Sequence, residues 1–184
     1  MHPLVPVFDL DGTLLDSDRA LAAPFLALGI PEERVTFGLT LEEACEREGI
    51  SVATYLAAYD GAGVEPFPGV DALLRALPRW AVCSNRLGES ARGELERLGW
   101  EPEVAMFVED FGGPKTLPPV LDALGLDAAD VVFVGDSAHD RVCAREAGAT
   151  FALAGWNARV SPGPGDVVLD EPADLLEILN RRVV

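Results

Sequence analysis

Asp9 and Asp11 follow an apolar run near the start of the chain, in the stretch VFDLDGTLLDS between Val7 and Ser17. Burying a charge is costly, so two acids at the end of a buried strand indicate a site that offsets the cost. Gly12 indicates that the chain turns directly after them, so the two carboxylates can converge on one site in different surroundings. One can then remain ionised as a nucleophile, while the other holds a proton and acts as an acid and then as a base.

A calcium loop and a solvated turn are the structural alternatives for these two acids. An EF-hand loop that began at Asp9 would need glycine at position 14 and glutamate at position 20, where the chain has Leu14 and Ala20. A solvated turn fits poorly because apolar residues surround the acids: Val7, Phe8, Leu10, Leu14 and Leu15.

Asp136 and Asp140 form a second acidic pair, directly after the apolar run VVFVG. Asp140 follows Asp136 by one helical turn and can face the same site. The attraction of acids to a helix N-terminus explains Asp140 but explains Asp136, at a strand end, poorly. His139 lies between them without a Cys or His partner nearby, so we expect it to face solvent rather than a metal.

Lys115 is the single lysine of the chain, because thirteen of the 14 Lys and Arg residues are arginine. It stands ahead of an expected helix in the stretch GGPKTLPPVLDALG. A compact ammonium can lie between a carboxylate and a phosphate as a point charge, which a planar guanidinium does less well.

Apolar strand patterns alternate with helical patterns along most of the chain, which predicts an α/β fold with a doubly wound, Rossmann-like parallel sheet. In such sheets ligands bind at the carboxyl ends of the strands, where Asp9 and Asp136 are expected. The expected strands are Leu4–Leu10, Trp80–Ser84, Val104–Glu109, Val131–Gly135, Thr150–Ala154 and Val167–Leu169. The expected helices are Glu89–Leu98, Leu117–Leu124, Ser137–Ala147 and Ala173–Asn180.

Residues from Asp18 to about Pro66 break this alternation and contain no convincing strand. An apolar helix is expected over Asp18–Leu28, Thr40 and Glu43 form a capping-box pattern, and Ser51 is an expected N-cap. We therefore predict a core domain of residues 1–16 and 67–184, with a small all-helical cap of residues 17–66 inserted after the first strand.

Composition restricts the partners and the compartment. A formal charge of −17 argues against nucleic-acid and anionic-membrane surfaces. No apolar run is long enough for a membrane span, and no signal peptide is visible, so we expect a cytoplasmic protein. Cys45, Cys83 and Cys143 fit neither a zinc site nor a redox pair and are expected to be reduced and mostly buried.

The stretch DLDGT resembles the first motif of the haloacid dehalogenase (HAD) superfamily, whose best-populated branch is phosphatases. Three further motifs of that family occur here in the family's order, and the resemblance covers the chain from Val7 to about Gly148. The first and fourth motifs are highly specific, whereas the second and third carry little weight alone. The residues that match the later motifs are Ser84 with Asn85, then Lys115, then Asp136 with Asp140.

The resemblance implies a two-step phosphoryl transfer. Asp9 would attack phosphorus to form an aspartyl-phosphate, and Asp11 would protonate the leaving alcohol and then deprotonate the attacking water. Mg²⁺ and Lys115 would stabilise charge in the transition state. The expected phosphate-binding residues are Gly12, Thr13, Ser84 and Asn85, in part through backbone amides. The expected metal site comprises Asp9, the backbone carbonyl of Asp11, Asp136, and Asp140 through a metal-bound water.

A charge balance supports the need for a divalent cation. If Asp9, Asp136 and Asp140 are ionised and Asp11 is protonated, the site carries three negative charges. Lys115 offsets one of them, and a bound Mg²⁺, which prefers hard oxygen ligands, offsets the other two. Without the metal, an incoming phosphate dianion would meet net repulsion.

The expected substrate is a small phosphorylated metabolite. The insert resembles the helical cap of the phosphoglycolate phosphatase group, although it is short, and phosphoglycolate is the first candidate by that analogy. Dehalogenases do not use the second aspartate as acid and base, and phosphonatases need a cap lysine that this insert lacks. A phosphosugar mutase or another phosphoryl transferase is an alternative, disfavoured for the same missing lysine.

Two alternatives come from outside this enzyme class. A signalling receiver domain also has a parallel sheet, Mg²⁺ and a phosphorylated aspartate, but its first-strand acids are usually adjacent. A non-catalytic phosphate-binding or metal-binding protein is disfavoured by the complete set of motifs. Among cap residues, Arg19, Arg34, Glu43, Arg47 and Tyr55 are within plausible reach of a substrate, but each fits a solvated or core role better.

Overall fold

The computed structural model describes residues 4–60 and 64–181, and a six-stranded sheet lies at its centre. Numbered in chain order, the strands are β1 (Val5–Phe8), β2 (Leu15–Asp16), β3 (Glu65–Pro66), β4 (Ala81–Cys83), β5 (Val104–Met106), β6 (Val131–Gly135), β7 (Thr150–Ala154) and β8 (Val167–Leu169). The sheet has the order β5-β4-β1-β6-β7-β8 with every neighbouring pair parallel. The predicted doubly wound parallel sheet is confirmed.

Nine helices are defined in the described ranges: α1 (Asp18–Ala27), α2 (Leu41–Glu48), α3 (Val52–Ala58), α4 (Val70–Ala76), α5 (Gly88–Leu98), α6 (Val108–Phe111), α7 (Pro118–Leu124), α8 (Ala138–Ala147) and α9 (Asp174–Arg181). Short 3-10 turns occupy Glu32–Arg34 and Ala128–Asp130. The four helices predicted for the core are present with ends shifted by about one residue, which is within the usual uncertainty of helix boundaries.

Three expectations about elements were incomplete or wrong. The strand predicted over Val104–Glu109 ends at Met106, because the Asp110 carboxylate accepts a hydrogen bond from the Phe107 amide at 2.9 Å and starts α6. The helix α4 was missed, although its buried residues recur at helical spacing. The insert also ends in the two-residue strand β3, which pairs antiparallel with β2.

The central strand β1 fixes the position of the site. All four of its residues are buried, as expected for a strand covered by helices on both faces of a parallel sheet. It pairs with β4 on one side and β6 on the other, and the Asp9 amide extends the second pairing by donating to the Val134 carbonyl at 2.9 Å. Asp9 is thereby held at the carboxyl end of the sheet.

The cap helices α1, α2 and α3 surround a small cluster of their own, built on the buried side chains of Phe25, Cys45 and Tyr55. The predicted capping box at Thr40 and the predicted N-cap at Ser51 are both present. This cluster is separate from the two clusters that cover the faces of the sheet. A core of residues 1–16 and 67–184 with a cap of residues 17–66 remains our proposal, and the separate cluster supports it.

Two smaller expectations concern cysteines and membranes. Cys45, Cys83 and Cys143 are free and buried, as predicted. Within the described residues, no helix is both long and apolar enough to cross a membrane.

Candidate active site

The residues expected to carry chemistry follow the carboxyl ends of three adjacent strands. Asp9 comes after β1, Ser84 and Asn85 come after β4, and Asp136 comes after β6. All four side chains are buried. The parallel sheet therefore brings together residues that are up to 127 positions apart in the chain.

Lys115 joins the first acidic motif to the last. Its Nζ lies 2.8 Å from Asp9 Oδ1 and 2.6 Å from Asp140 Oδ1, with all three side chains at least nine-tenths buried. Asp9, Asp136 and Asp140 each place a carboxylate oxygen within 4.8 Å of the others. The structure thus brings together the expected nucleophile Asp9, Lys115 and the second acidic pair that the sequence predicted.

Burial and charge set the ionisation of this group. Burial raises the pKa of Asp9 well above its usual range, against the opposing charge of Lys115. Burial, followed by the charge of Asp140, raises the pKa of Asp136 to about 6. Burial acts to lower the pKa of Lys115, but the negative charges of Asp140 and Asp9 hold this pKa well above its usual value. Burial likewise disfavours ionised Asp140, but Lys115 and the hydrogen bonds from Ser137 hold its pKa below the usual value.

Asp140 also caps the helix that carries it. Its Oδ2 accepts hydrogen bonds from the Asp136 amide at 3.1 Å and the Ser137 amide at 2.8 Å, while Oδ1 faces Lys115. Asp140 therefore links Lys115 to the start of α8. The indirect role in metal binding predicted for Asp140 stays a prediction.

Gly12 and Thr13 pack against Asp136 rather than lining open space. The Thr13 hydroxyl donates to Asp136 Oδ1 at 2.9 Å. Gly12 has a φ of +76°, and a Cβ there would lie 2.6 Å from Asp136 Oδ2. A glycine is therefore required both by the backbone conformation and by the close approach of the carboxylate. The phosphate-binding roles predicted for Gly12 and Thr13 stay predictions.

Ser84 and Asn85 are buried directly after β4. Ser84 Oγ accepts a hydrogen bond from the Arg86 amide at 3.3 Å. The Asn85 side chain accepts from the Lys115 amide at 2.6 Å and donates to the Gly38 carbonyl at 2.8 Å, so it links the core to the insert. In the described part of the chain, the backbone amides of Asp11 and Asn85 have no backbone acceptor. These two amides are available to an anion.

Sequence analysis missed two arginines. Arg86 Nη1 lies 2.9 Å from Asp11 Oδ1, and the Arg86 side chain is only 7% exposed. Arg159 forms ion pairs with Asp136 and with Asp18 of α1. Arg86 lies in the loop after β4 and Arg159 in the loop after β7. Because ligands bind at the carboxyl ends of parallel strands, these positions were the signal that could have identified both residues.

The expected charge balance was therefore incomplete. It placed one protein cation, Lys115, among the acids, whereas Arg86 and Arg159 bring two more. Asp11, which that balance left uncharged, contacts the Arg86 guanidinium at 2.9 Å. Asn157 completes the connection between the site and the insert, since its amide donates to the Gly12 carbonyl at 2.8 Å and to Asp18 Oδ2 at 3.2 Å.

The donor set fits a hard divalent cation such as Mg²⁺. Three buried carboxylates lie within reach of one point, and burial makes their charges costly unless a cation is shared among them. No thiol or imidazole belongs to this cluster, so the ligand chemistry is that of an oxygen-binding metal.

A cavity of about 200 Å³ lies beside these residues. Its floor is formed by the core residues Asp9, Asp11, Ser84, Asn85 and Lys115. Its opposite wall is formed by the insert. That wall includes Tyr55 of α3 and Tyr59, which directly follows α3. The cavity therefore places a bound molecule between the expected nucleophile and the cap.

Comparisons with known proteins agree with this site. The family model described as haloacid dehalogenase-like hydrolase matches residues 7–154. A phosphoglycolate phosphatase from Xanthomonas campestris is 28% identical over 215 aligned positions, which cover 95% of this chain and 96% of that protein. An N-acetylmuramic acid 6-phosphate phosphatase from Pseudomonas aeruginosa is 27% identical over 222 positions, covering 96% and 95%.

A solved structure of similar shape supports the fold. The crystal structure of a protein from Lactobacillus plantarum, described as a putative phosphoglycolate phosphatase, has a TM-score of 0.77 at 22% identity, and the match covers 97% of this chain and 100% of that one. The predicted superfamily and the predicted enzyme class, a phosphatase, are confirmed by these matches. The chain belongs to the haloacid dehalogenase-like hydrolase family.

Proposed function

We propose that this protein is a Mg²⁺-dependent phosphomonoester hydrolase that acts through an aspartyl-phosphate on Asp9. The observation that carries the proposal is the contact of Asp9 Oδ1 with Lys115 Nζ at 2.8 Å, beside two further carboxylates and at the floor of a cavity. A buried carboxylate with an adjacent ammonium and a facing cavity is suited to attack phosphorus.

Asp9, Asp136 and the Asp11 carbonyl would hold the metal, with Asp140 orienting the surroundings. When bound, Mg²⁺ would neutralise part of the charge of the carboxylates and of the transferred phosphoryl group. Lys115 would contribute the remaining positive charge. The Thr13 hydroxyl and the close packing of Gly12 keep Asp136 in place for this role.

The phosphoryl oxygens would be held by the Ser84 hydroxyl and by the free amides of Asp11 and Asn85. These donors follow the adjacent strands β1 and β4, and their residues line the same cavity as Lys115. Backbone donors of this kind are fixed before the substrate arrives and cost no reorganisation during the reaction.

Asp11 would donate a proton to the leaving oxygen and then accept one from the attacking water. Arg86 occupies Oδ1 of Asp11, which leaves Oδ2 as the oxygen that transfers the proton. The pairing also holds the carboxyl group in one orientation, and general acid–base catalysis depends on that orientation.

The substrate class is a small phosphorylated metabolite, with phosphoglycolate as the first candidate. Support for the class comes from the size of the cavity and from the names of the relatives, which differ in their substrates. The names alone do not select among substrates, because binding groups on the cap differ between proteins with one fold.

The direct test is release of inorganic phosphate from an aryl phosphate in the presence and absence of Mg²⁺. The wild type and Asp16→Asn, which alters an exposed acid of β2, should be active with Mg²⁺, and Asp9→Asn should be inactive. Equal inactivity of the wild type and Asp9→Asn across a broad panel of phosphate esters would refute the proposed function.

A further inference from the structure

The cavity wall contributed by the insert is mainly apolar and aromatic, with Asp18, Thr36 and Thr40 as its polar members. Residues from three separate parts of the insert form it. Its apolar and aromatic members include Leu21, Phe25, Val35, Leu41, Tyr55 and Leu56. The Phe25 and Tyr55 rings lie 4.8 Å apart, and the Tyr55 and Tyr59 rings are stacked at 5.9 Å. Such a wall gains free energy by covering hydrocarbon and offers little to an ionised group.

Among the described residues of the insert, no basic side chain lines this wall. The insert contains three basic residues, namely Arg19, Arg34 and Arg47. None of the three lines the cavity, and Arg34 is paired instead with Glu48 at 2.8 Å. The insert does place one charged residue in the described cavity lining, and this residue, Asp18, is acidic.

The cations on the core side of the cavity are already matched by carboxylates. Lys115 contacts Asp9 and Asp140. Arg86 contacts Asp11 at 2.9 Å and has Glu94 at 3.9 Å. A carboxylate on the leaving group would therefore meet more acid than base, and it would be desolvated without a partner.

One neutral polar group faces this region without a partner. The Tyr59 hydroxyl is buried and, within the described ranges, has no hydrogen-bond partner. Burial raises the pKa of Tyr59, with Arg86 opposing and Asp11 and Glu94 adding to the rise, which places the hydroxyl in the field of those core residues. A buried, unsatisfied hydroxyl is costly, so a ligand atom that bonds to it is favoured.

We propose, on the basis of the function proposed above, that the leaving group of the preferred substrate is an uncharged alcohol with an apolar or aromatic body. The insert wall binds that body, and the Tyr59 hydroxyl bonds to a neutral polar atom. A cavity of about 150 Å³ is sufficient for benzene, so about 200 Å³ accommodates a phosphoryl group and a leaving group of a few carbons. Phosphoglycolate, the first candidate by resemblance, is then a poor substrate, because its leaving group, glycolate, carries a carboxylate.

The test compares pairs of substrates that differ in one carboxylate. The pairs are ethyl phosphate with 2-phosphoglycolate, and benzyl phosphate with its 4-carboxylated derivative, all with Mg²⁺. We expect kcat/KM to be at least about tenfold higher for the uncharged member of each pair. Equal or better hydrolysis of the carboxylated members by the wild type would overturn the inference while leaving the phosphatase function intact.

A pair of matched variants tests whether the insert wall is responsible. Leu56 lines the cavity and is 45% exposed, so Leu56→Arg can place a guanidinium at the wall without burying it. Leu26 is 44% exposed on α1 and is absent from the lining, so Leu26→Arg is the control. Leu56→Arg should reduce the discrimination against carboxylates severalfold, and Leu26→Arg should leave it unchanged.

The remaining outcomes are also decisive. An unchanged discrimination in Leu56→Arg would refute the assignment of this wall to the leaving group. Hydrolysis of none of the four esters by the wild type would overturn this inference, and hydrolysis of none of the esters in the broad panel would refute the proposed function itself.

Discussion

Arg86 and Asp11 form an ion pair, with Nη1 2.9 Å from Oδ1, across the loops that follow β4 and β1. The two side chains are 7% and 17% exposed, so solvent screens the pair only weakly. The pair fixes one oxygen of the expected acid–base residue. We therefore infer that Arg86 positions Asp11, a role that the sequence pattern had not assigned to it.

We expect Arg86→Gln to lower kcat about tenfold or more while changing KM less, because Asp11 loses the group that orients it. Loss of a partner from a buried ion pair also costs about 3 kcal/mol of stability, so the thermal midpoint must be measured with the kinetics. Arg92→Gln, which alters an exposed arginine paired with Asp110 at 3.3 Å, is the control. Wild-type kcat in Arg86→Gln would contradict the positioning role.

The proposed division of labour between Asp9 and Asp11 predicts different pre-steady-state kinetics for their variants. Nitrophenolate leaves without needing a proton, so Asp11→Asn should still release a burst of about one nitrophenolate per enzyme from 4-nitrophenyl phosphate. Turnover should then be slow, since the base that activates water is missing. Asp9→Asn should give no burst. A steady-state rate in Asp11→Asn equal to that of the wild type would refute the acid–base assignment.

The strand ends were the most predictable part of the site. Asp9 and Asp136 were placed correctly because apolar runs followed by acids mark where parallel strands end, and Lys115 stood out because the chain has one lysine. Arg86 and Arg159 were not predictable in the same way. The chain has thirteen arginines, and only the loop geometry shows that these two turn inward onto carboxylates.

The chain around β5 shows a second limit of sequence patterns. The run from Val104 to Val108 is apolar enough for a strand, but the Asp110 carboxylate caps the Phe107 amide and starts a helix. A local side-chain hydrogen bond thus overrides β-propensity.

The shape of the cap cavity was also unpredictable from the sequence. Its wall combines residues from Leu21 to Tyr59, which come together only through the packing of three helices.

Asp136 should make metal binding depend on pH. Its pKa is raised by burial, and then by Asp140, from 3.8 to about 6. Below about pH 6 a proton competes with Mg²⁺ for this carboxylate, so the rise in thermal midpoint caused by Mg²⁺ should be small at about pH 5 and larger at about pH 7.5. Differential scanning fluorimetry with and without Mg²⁺ measures this, with Asp136→Asn as the control. Equal Mg²⁺ shifts at both pH values would contradict the prediction.

The metal-free protein should show the opposite trend. Because the pKa of Asp136 is higher in the folded state than its ordinary value of 3.8, folding takes up a proton between these values. The contribution of Asp136 to the free energy of unfolding therefore falls as the pH rises from about 4 to about 6. Asp136→Asn should be less sensitive to pH than the wild type in this window when no metal is present.

Gly12 offers a test of how closely the first motif and Asp136 are packed. Gly12→Ala would place a Cβ 2.6 Å from Asp136 Oδ2 at a φ of +76°, whereas Gly49→Ala meets a similar φ of +70° with nothing within 4 Å. Both variants should lose about 1 kcal/mol of stability from backbone strain. Only Gly12→Ala should also lose the Mg²⁺-induced rise in thermal midpoint and the phosphatase activity, because it displaces a metal-binding carboxylate. If both variants respond to Mg²⁺ like the wild type, the Gly12 loop does not hold Asp136 in its binding position.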